Sequence, residues 1–130
     1  MSLLNLLPAR VHGIGDYGSA LALILAGLLV SGTGPARATG IVLGLVLLVV
    51  SVLTDYPLGV RRVIPFKVHS AGDYVGAASL IVAPFLLGFN DTDDGLTAFY
   101  VVIGAILVVV SLLTDYDHPD RPAAIGVART

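Results

Sequence analysis

The chain has 130 residues, enough for one domain and too few for two ordinary ones, and only 12% are charged where a soluble domain carries roughly twice that. The hydrophobic share is 56%, mean hydropathy is +0.94, and a net charge of −2 excludes a broad basic surface for nucleic acid. Cysteine is absent, which excludes disulfides, thiolate metal sites, cysteine nucleophiles and c-type haem attachment; glutamate is absent too, so every acid is a short-armed aspartate.

Four windows along the chain carry no charge: Tyr17–Ala36, Ala38–Thr54, Tyr74–Asn90 and Gly95–Thr114. A bilayer core takes about 20 apolar helical residues, with roughly 17 as a lower bound. Backbone groups in lipid must be satisfied within the segment, so runs of this length are expected to be helices. The fold class expected is all-α: a polytopic membrane protein of four transmembrane helices. Pro84 is expected to kink or shorten the third.

Basic residues set the expected orientation. Arg10 precedes the first window, Arg61, Arg62 and Lys67 lie between the second and third, and Arg121 and Arg129 follow the fourth. Only Arg37 falls in either of the other two loops, so both termini are read as cytoplasmic. The loop with Asp91, Asp93 and Asp94 then faces outward; a solvated loop is preferred there over a weak Ca²⁺ site. The first window, with Arg10 before it and Ala36-Arg37-Ala38 after it, imitates a cleaved signal peptide. Its recurrence inside the chain argues against that reading.

The recurrence is a duplication. Pro8-Ala9-Arg10-Val11-His12-Gly13-Ile14-Gly15-Asp16-Tyr17 aligns with Pro65-Phe66-Lys67-Val68-His69-Ser70-Ala71-Gly72-Asp73-Tyr74. Further on, Ser51-Val52-Leu53-Thr54-Asp55-Tyr56 aligns with Ser111-Leu112-Leu113-Thr114-Asp115-Tyr116. The reading is one membrane domain, 1–130, with repeat A over 8–56, repeat B over 65–116, and a polar tail over 117–130 that includes Asp117 and His118. Each copy holds two spans, an even number. The hairpins are therefore expected as tandem parallel repeats about an axis along the membrane normal, not as an inverted repeat.

Pro8 and Pro65 suit the first turn of a helix. His12 and Asp16 then share one face four residues apart, as do His69 and Asp73. The Thr-Asp-Tyr triplets end the second and fourth spans on the same side. The candidate proton, cation or metal site is thus His12, Asp16, Tyr17, Asp55, Tyr56, His69, Asp73, Tyr74, Asp115 and Tyr116. Asp55 and Asp115 oppose the negative end of a helix dipole, so Arg10, Arg61, Arg62 or Lys67 is expected to compensate them, unless Asp55 N-caps a turn beginning near Pro57. Gly40 with Gly44, and Gly72 with Gly76, form G-x-x-x-G pairs that suit close helix packing. Gly13, Gly15 and Gly18 are no dinucleotide fingerprint, since no strand precedes them.

The V-H-x-x-G-D-Y start, followed by Ala83-Pro84-Phe85-Leu86-Leu87-Gly88-Phe89, resembles the SPW-repeat small membrane proteins of bacteria and archaea. Here the Ser-Pro-Trp tripeptide is Ala83-Pro84-Phe85, and the first copy has Ala26-Gly27-Leu28 in its place. The resemblance implies a prokaryotic cell membrane and a repeat architecture; it carries no established activity. Three functions stay open. One is a proton, cation or small-solute transport component, acting as a homo-oligomer or within a larger membrane complex. Another is a structural or accessory protein whose cluster anchors helix ends at the interface. The third is a metal- or haem-binding redox protein. No cofactor is named by the sequence, and no hydrolase motif is present.

Overall fold

The computed structural model describes residues 2–119; the tail beyond, with Arg121 and Arg129, lies outside the described residues. In chain order the elements are α1 (Ala9–Leu29), α2 (Gly34–Leu53), β1 (Thr54–Asp55), β2 (Ile64–Pro65), α3 (Phe66–Leu86) and α4 (Asp94–Leu113). Among the described residues the protein is therefore all-helical but for one two-residue strand pair. α1 packs along α2 and α3 along α4, with narrower contacts between these two hairpins. Three helices, α1, α2 and α4, are long and apolar enough to cross a membrane. α3 matches α1 at 21 residues but carries Lys67, His69 and Asp73 near its start and is less apolar.

The helices do not coincide with the charge-free windows. α1 begins eight residues before Tyr17 and ends at Leu29, and the window to Ala36 runs across the turn that Thr33 closes as N-cap of α2. α3 likewise begins at Phe66 and stops at Leu86, short of Asn90. The added turns hold ionisable residues of both kinds, buried His12, Asp16, His69 and Asp73 and exposed Arg10 and Lys67, so absence of charge marked only part of each helix. Pro8 and Pro65 are N-caps in extended conformation rather than first-turn residues. Pro84 sits in the last turn of α3 and lacks the N–H that would continue the ladder. The chain then turns through Gly88 at φ 73°, and the N–H groups of Phe89 and Asn90 return to the Pro84 carbonyl at 2.9 and 3.1 Å.

Polarity is distributed inside out. Large apolar side chains face outward along the helices, among them Leu21 at 59%, Val42 at 56% and Val102 at 55% exposed. Buried polar residues lie within: His12, Asp16, Ser51, Thr54, His69, Asp73, Ser111 and Thr114. Leu23, Ala77, Leu80, Tyr100 and Leu107 form the apolar centre where the hairpins meet.

Small residues bring each hairpin together. A Cβ on Gly44 would stand 2.9 Å from the Ala20 carbonyl oxygen, and one on Gly104 2.8 Å from that of Ala77. Gly40 is held against the Leu23 carbonyl and the Tyr100 hydroxyl. The second expected pair does not pack: Gly72 and Gly76 have no neighbour within 4 Å of a built Cβ. They line a cavity of about 210 Å³ between α2 and α3 instead, with Asp73 on its wall. The expected packing face is thus one that α2 faces across a cavity without touching it.

At one end of the bundle the hairpins are cross-linked. β1 pairs in parallel with β2, Thr54 opposite Ile64. Leu7 bridges Thr114 in the same sense, and the Asp115 N–H donates to the Leu7 carbonyl at 2.9 Å. The exit of each hairpin is thereby fastened to the approach of the other. At the opposite end the Tyr100 hydroxyl donates to the Ala36 carbonyl at 2.7 Å. Asp93 there accepts from the Thr33 N–H at 3.0 Å and hydroxyl at 2.7 Å. These bonds hold the Asp93 carboxyl below the usual carboxylate range. The side chain of Arg37 donates to the Gly27 and Leu28 carbonyls, both at 3.0 Å, and so caps the C-terminus of α1.

Candidate functional site

His12 and Asp16 lie one turn apart on the buried face of α1; His69 and Asp73 lie likewise on α3. The crossed fastening at the bundle end turns those two faces toward each other. His12 Nε2 stands 3.2 Å from Asp16 Oδ1 and 3.1 Å from Asp73 Oδ2. His69 Nε2 stands 2.9 Å from Asp73 Oδ1 and 3.2 Å from Asp16 Oδ2. The four groups close a ring in which imidazole and carboxylate alternate and each carboxylate spans both histidines. Both histidine side chains and both aspartates are essentially sealed from solvent.

The outer nitrogens are fixed by threonine. The Thr54 hydroxyl donates to the Val50 carbonyl at 2.7 Å, one turn back in α2, and the Thr114 hydroxyl donates to Val110 at 2.7 Å. A hydroxyl has one proton, so each oxygen can meet a histidine only as acceptor. His69 Nδ1 lies 2.7 Å from Thr54 Oγ1, and His12 Nδ1 lies 2.7 Å from Thr114 Oγ1. Each Nδ1 therefore carries a proton and donates it outward. Each Nε2 faces the carboxylates either with a second proton or with a bare lone pair.

The tyrosines complete the aspartate shell. The Tyr116 hydroxyl donates to Asp73 Oδ2 at 2.7 Å and the Tyr56 hydroxyl to Asp16 Oδ2 at 3.2 Å. Burial first, and the neighbouring aspartate second, push both phenols well above their ordinary pKa, so they remain donors. Gly13 allows the Tyr56 ring to approach, since a Cβ there would come within 2.9 Å of it. Phe66 closes the end of the site. Its ring lies 5.6 Å from that of His12, 5.8 Å from His69, 5.3 Å from Tyr56 and 4.7 Å from Tyr116. Its counterpart in the other copy is the buried Ala9, so one copy supplies the whole plug.

Of the ten residues singled out by sequence, six converge: His12, Asp16, His69, Asp73, Tyr56 and Tyr116. Tyr17 turns aside and donates to the Leu58 carbonyl at 2.9 Å, and Tyr74 is half-buried next to Asp73. Asp55 is exposed and caps no turn at Pro57. Asp115 is buried, but it lies outside the ring and accepts from the N–H groups of Asp117 and His118 and contacts the His118 ring at 3.1 Å. Arg10, Arg61 and Arg62 are exposed, and among the described residues none forms an ion pair with Asp16, Asp55 or Asp73. Lys67 pairs at the surface with Asp117 at 2.9 Å. The physical reason is the extended conformation of Thr54 and Thr114, which carries the following aspartate off the helix axis.

Thr54 and Thr114 lie outside the ten candidates; the signal that marks them is the shared Thr-Asp-Tyr triplet, whose threonine holds the histidine. The chain matches no protein-family model, no curated protein and no solved structure.

The ring's chemistry follows from its charge. Two aspartates and two neutral imidazoles carry two negative charges in a sealed volume without arginine or lysine. Such a group holds positive charge, as two further protons or as a cation. His12, Asp16, His69 and Asp73 each offer one donor atom, all within 4.8 Å of one another.

Proposed function

We propose that the protein is an integral membrane protein of a prokaryotic cell, and that the His–Asp ring is the working site of a proton- or cation-transport component. The observation that carries this reading is four mutually facing ionisable groups buried inside a bundle whose exterior is apolar. Ionisable groups in such a setting are expensive and mark ion pathways or relays. The two sequence copies support four spans as tandem parallel hairpins, with α3 crossing alongside the other three because its His69 and Asp73 face the ring and Lys67 lies at its surface end. The distribution of arginine and lysine supports cytoplasmic termini. A four-helix chain encloses no wide path, so the active unit is a homo-oligomer or part of a larger membrane complex.

A second reading has its own support. His12 reaches Thr114 and His69 reaches Thr54, so the ring also staples one hairpin to the other. On that reading it is a structural clamp. Reconstituted vesicles separate the two. Transport predicts cation or proton flux that Asp16→Asn and Asp73→Asn abolish in well-folded protein. A clamp predicts no flux in the wild type and loss of stability in the same variants. Because the chain has no cysteine, single cysteines placed at Ser2 and in the 91–94 loop report sidedness without background.

A further inference from the structure

We infer that the ring is a binding site for one divalent first-row transition-metal ion, with His12 Nε2, His69 Nε2 and one oxygen each of Asp16 and Asp73 as ligands. The inference rests on the cation reading above and names the class of cation. Three features of the ring point to it.

The first is the unused capacity of the inner atoms. His12 Nε2, His69 Nε2 and Asp16 Oδ1 are buried and find no hydrogen bond of adequate geometry, although each lies near an opposite partner. Close approach without directional bonding suits donors that share an ion better than donors that satisfy one another.

The second is spacing. Metal bonds to imidazole nitrogen and carboxylate oxygen are about 2.0–2.2 Å, which puts adjacent ligands at angles of 90–110° roughly 2.9–3.5 Å apart. Each of the four imidazole–carboxylate separations involves a different oxygen, so one oxygen per carboxylate puts two of them at ligand spacing, as with His12–Asp16 at 3.2 Å and His69–Asp73 at 2.9 Å, and one donor atom from each of the four residues lies within 4.8 Å of the others.

The third is the layer behind the ligands. A metal-binding histidine commonly donates its other N–H to a fixed acceptor, which sets the tautomer and aims the lone pair. Thr54 and Thr114 do this for both rings. They are positioning residues. Tyr56 and Tyr116 orient the carboxylates in the same way.

The donor set selects the ion. Two imidazoles favour Zn²⁺, Fe²⁺, Mn²⁺ or Co²⁺ over Mg²⁺ and Ca²⁺, which prefer oxygen throughout. Two carboxylates neutralise the dipositive charge, as a low-dielectric interior demands. Haem does not fit: the two imidazole centroids are 5.5 Å apart in an edge-on arrangement, with both carboxylates between the inner nitrogens.

The test uses the full chain, purified in detergent and stripped with a chelator. Co²⁺ is followed by its visible spectrum and Zn²⁺ by calorimetry and elemental analysis. The expected result is one ion per chain that excess Ca²⁺ does not displace. Asp16→Asn and Asp73→Asn each weaken binding by about tenfold or more, and Thr54→Val weakens it by roughly 10- to 100-fold with an altered Co²⁺ spectrum. Thr54→Ser keeps the acceptor oxygen and restores both. Far-UV circular dichroism checks the fold of each variant, and the wild type decides the matter by itself if a variant fails to fold. Folded wild type without stoichiometric Co²⁺ or Zn²⁺ overturns the inference, and so does undiminished binding in the double aspartate variant. Vesicle flux in protein that binds no metal would overturn the metal site and leave the transport reading standing. A bound ion without flux would do the reverse.

Discussion

Gly40 and Gly72 open the same four-residue glycine spacing, yet they meet opposite surroundings, so replacing each by alanine is a sharp test of the packing. In Gly40→Ala the new Cβ would stand 2.7 Å from the Leu23 carbonyl oxygen and 2.5 Å from the Tyr100 hydroxyl. Ordinary contact begins near 3.4 Å, so α1 and α2 must separate by several tenths of an ångström or Tyr100 must leave its bond to Ala36. Overpacking of this kind costs about 1–3 kcal/mol, and the displaced hydrogen bond about 0.5–1.5 kcal/mol. Alanine returns up to about 1 kcal/mol through helix propensity. The net loss is therefore about 1–3 kcal/mol. In Gly72→Ala no atom lies within 4 Å of the new methyl, so only the propensity gain remains. The two variants should differ by about 2–4 kcal/mol in opposite directions from wild type. Unfolding by sodium dodecyl sulfate in mixed micelles, followed by far-UV circular dichroism, measures this. Equal destabilisation by both substitutions would show that α3 packs through Gly72 after all, and would refute the arrangement of the two hairpins described above.

Three further outcomes follow from the site. Tyr116→Phe removes a buried 2.7 Å bond to a carboxylate and should destabilise by about 1.5–3 kcal/mol, whereas Tyr56→Phe, at 3.2 Å, should cost less; chemical unfolding of the two variants sets the order. Phe66→Ala empties the space between both histidines and both tyrosines and should cost about 3–5 kcal/mol. It should also open His12 and His69 to diethylpyrocarbonate, from which burial should shield them in wild type; equal modification of both proteins would show that Phe66 is not the plug. The raised pKa values of Tyr56 and Tyr116 contribute stability that is complete below the ordinary tyrosine value, about 10, and is lost as pH climbs above it. A titration at 295 nm should show these two ionising only as the helices unfold. Ionisation of all five tyrosines near pH 10 with the fold intact would contradict the buried bonds to Asp16 and Asp73.

Much of this molecule is legible in one dimension. Apolar runs of helical length, His12 four residues from Asp16 and His69 four from Asp73 are local patterns. Local backbone geometry alone puts each pair on one face. The matching P-x-[RK]-V-H-x-x-G-D-Y stretches led to the expectation that both pairs serve one purpose. The identical spacing of Gly40–Gly44 and Gly72–Gly76 could not say which pair meets a neighbouring helix, because spacing defines a face and not what covers it. Asp55 and Asp115 occupy the same place in their copies, yet one is exposed and the other buried beneath His118. Sequence equivalence does not guarantee an equivalent environment: the residues directly after Asp115 turn back to its carboxylate, whereas those after Asp55 return to the Val52 and Leu53 carbonyls and leave it exposed.

What the sequence by itself determined is the list of parts: four helices, two histidine–aspartate pairs each on one helix face, and two threonine–aspartate–tyrosine ends. What only the tertiary structure decided is their pairing. His12 takes its acceptor from Thr114, 102 residues away, while Asp16 takes its phenol from Tyr56 in its own hairpin. That choice depends on the crossed fastening of β1 to β2 and of Leu7 to Thr114. Hydrogen bonds between distant segments leave no periodicity in the chain, so a ring that needs four such approaches at once becomes visible only in three dimensions.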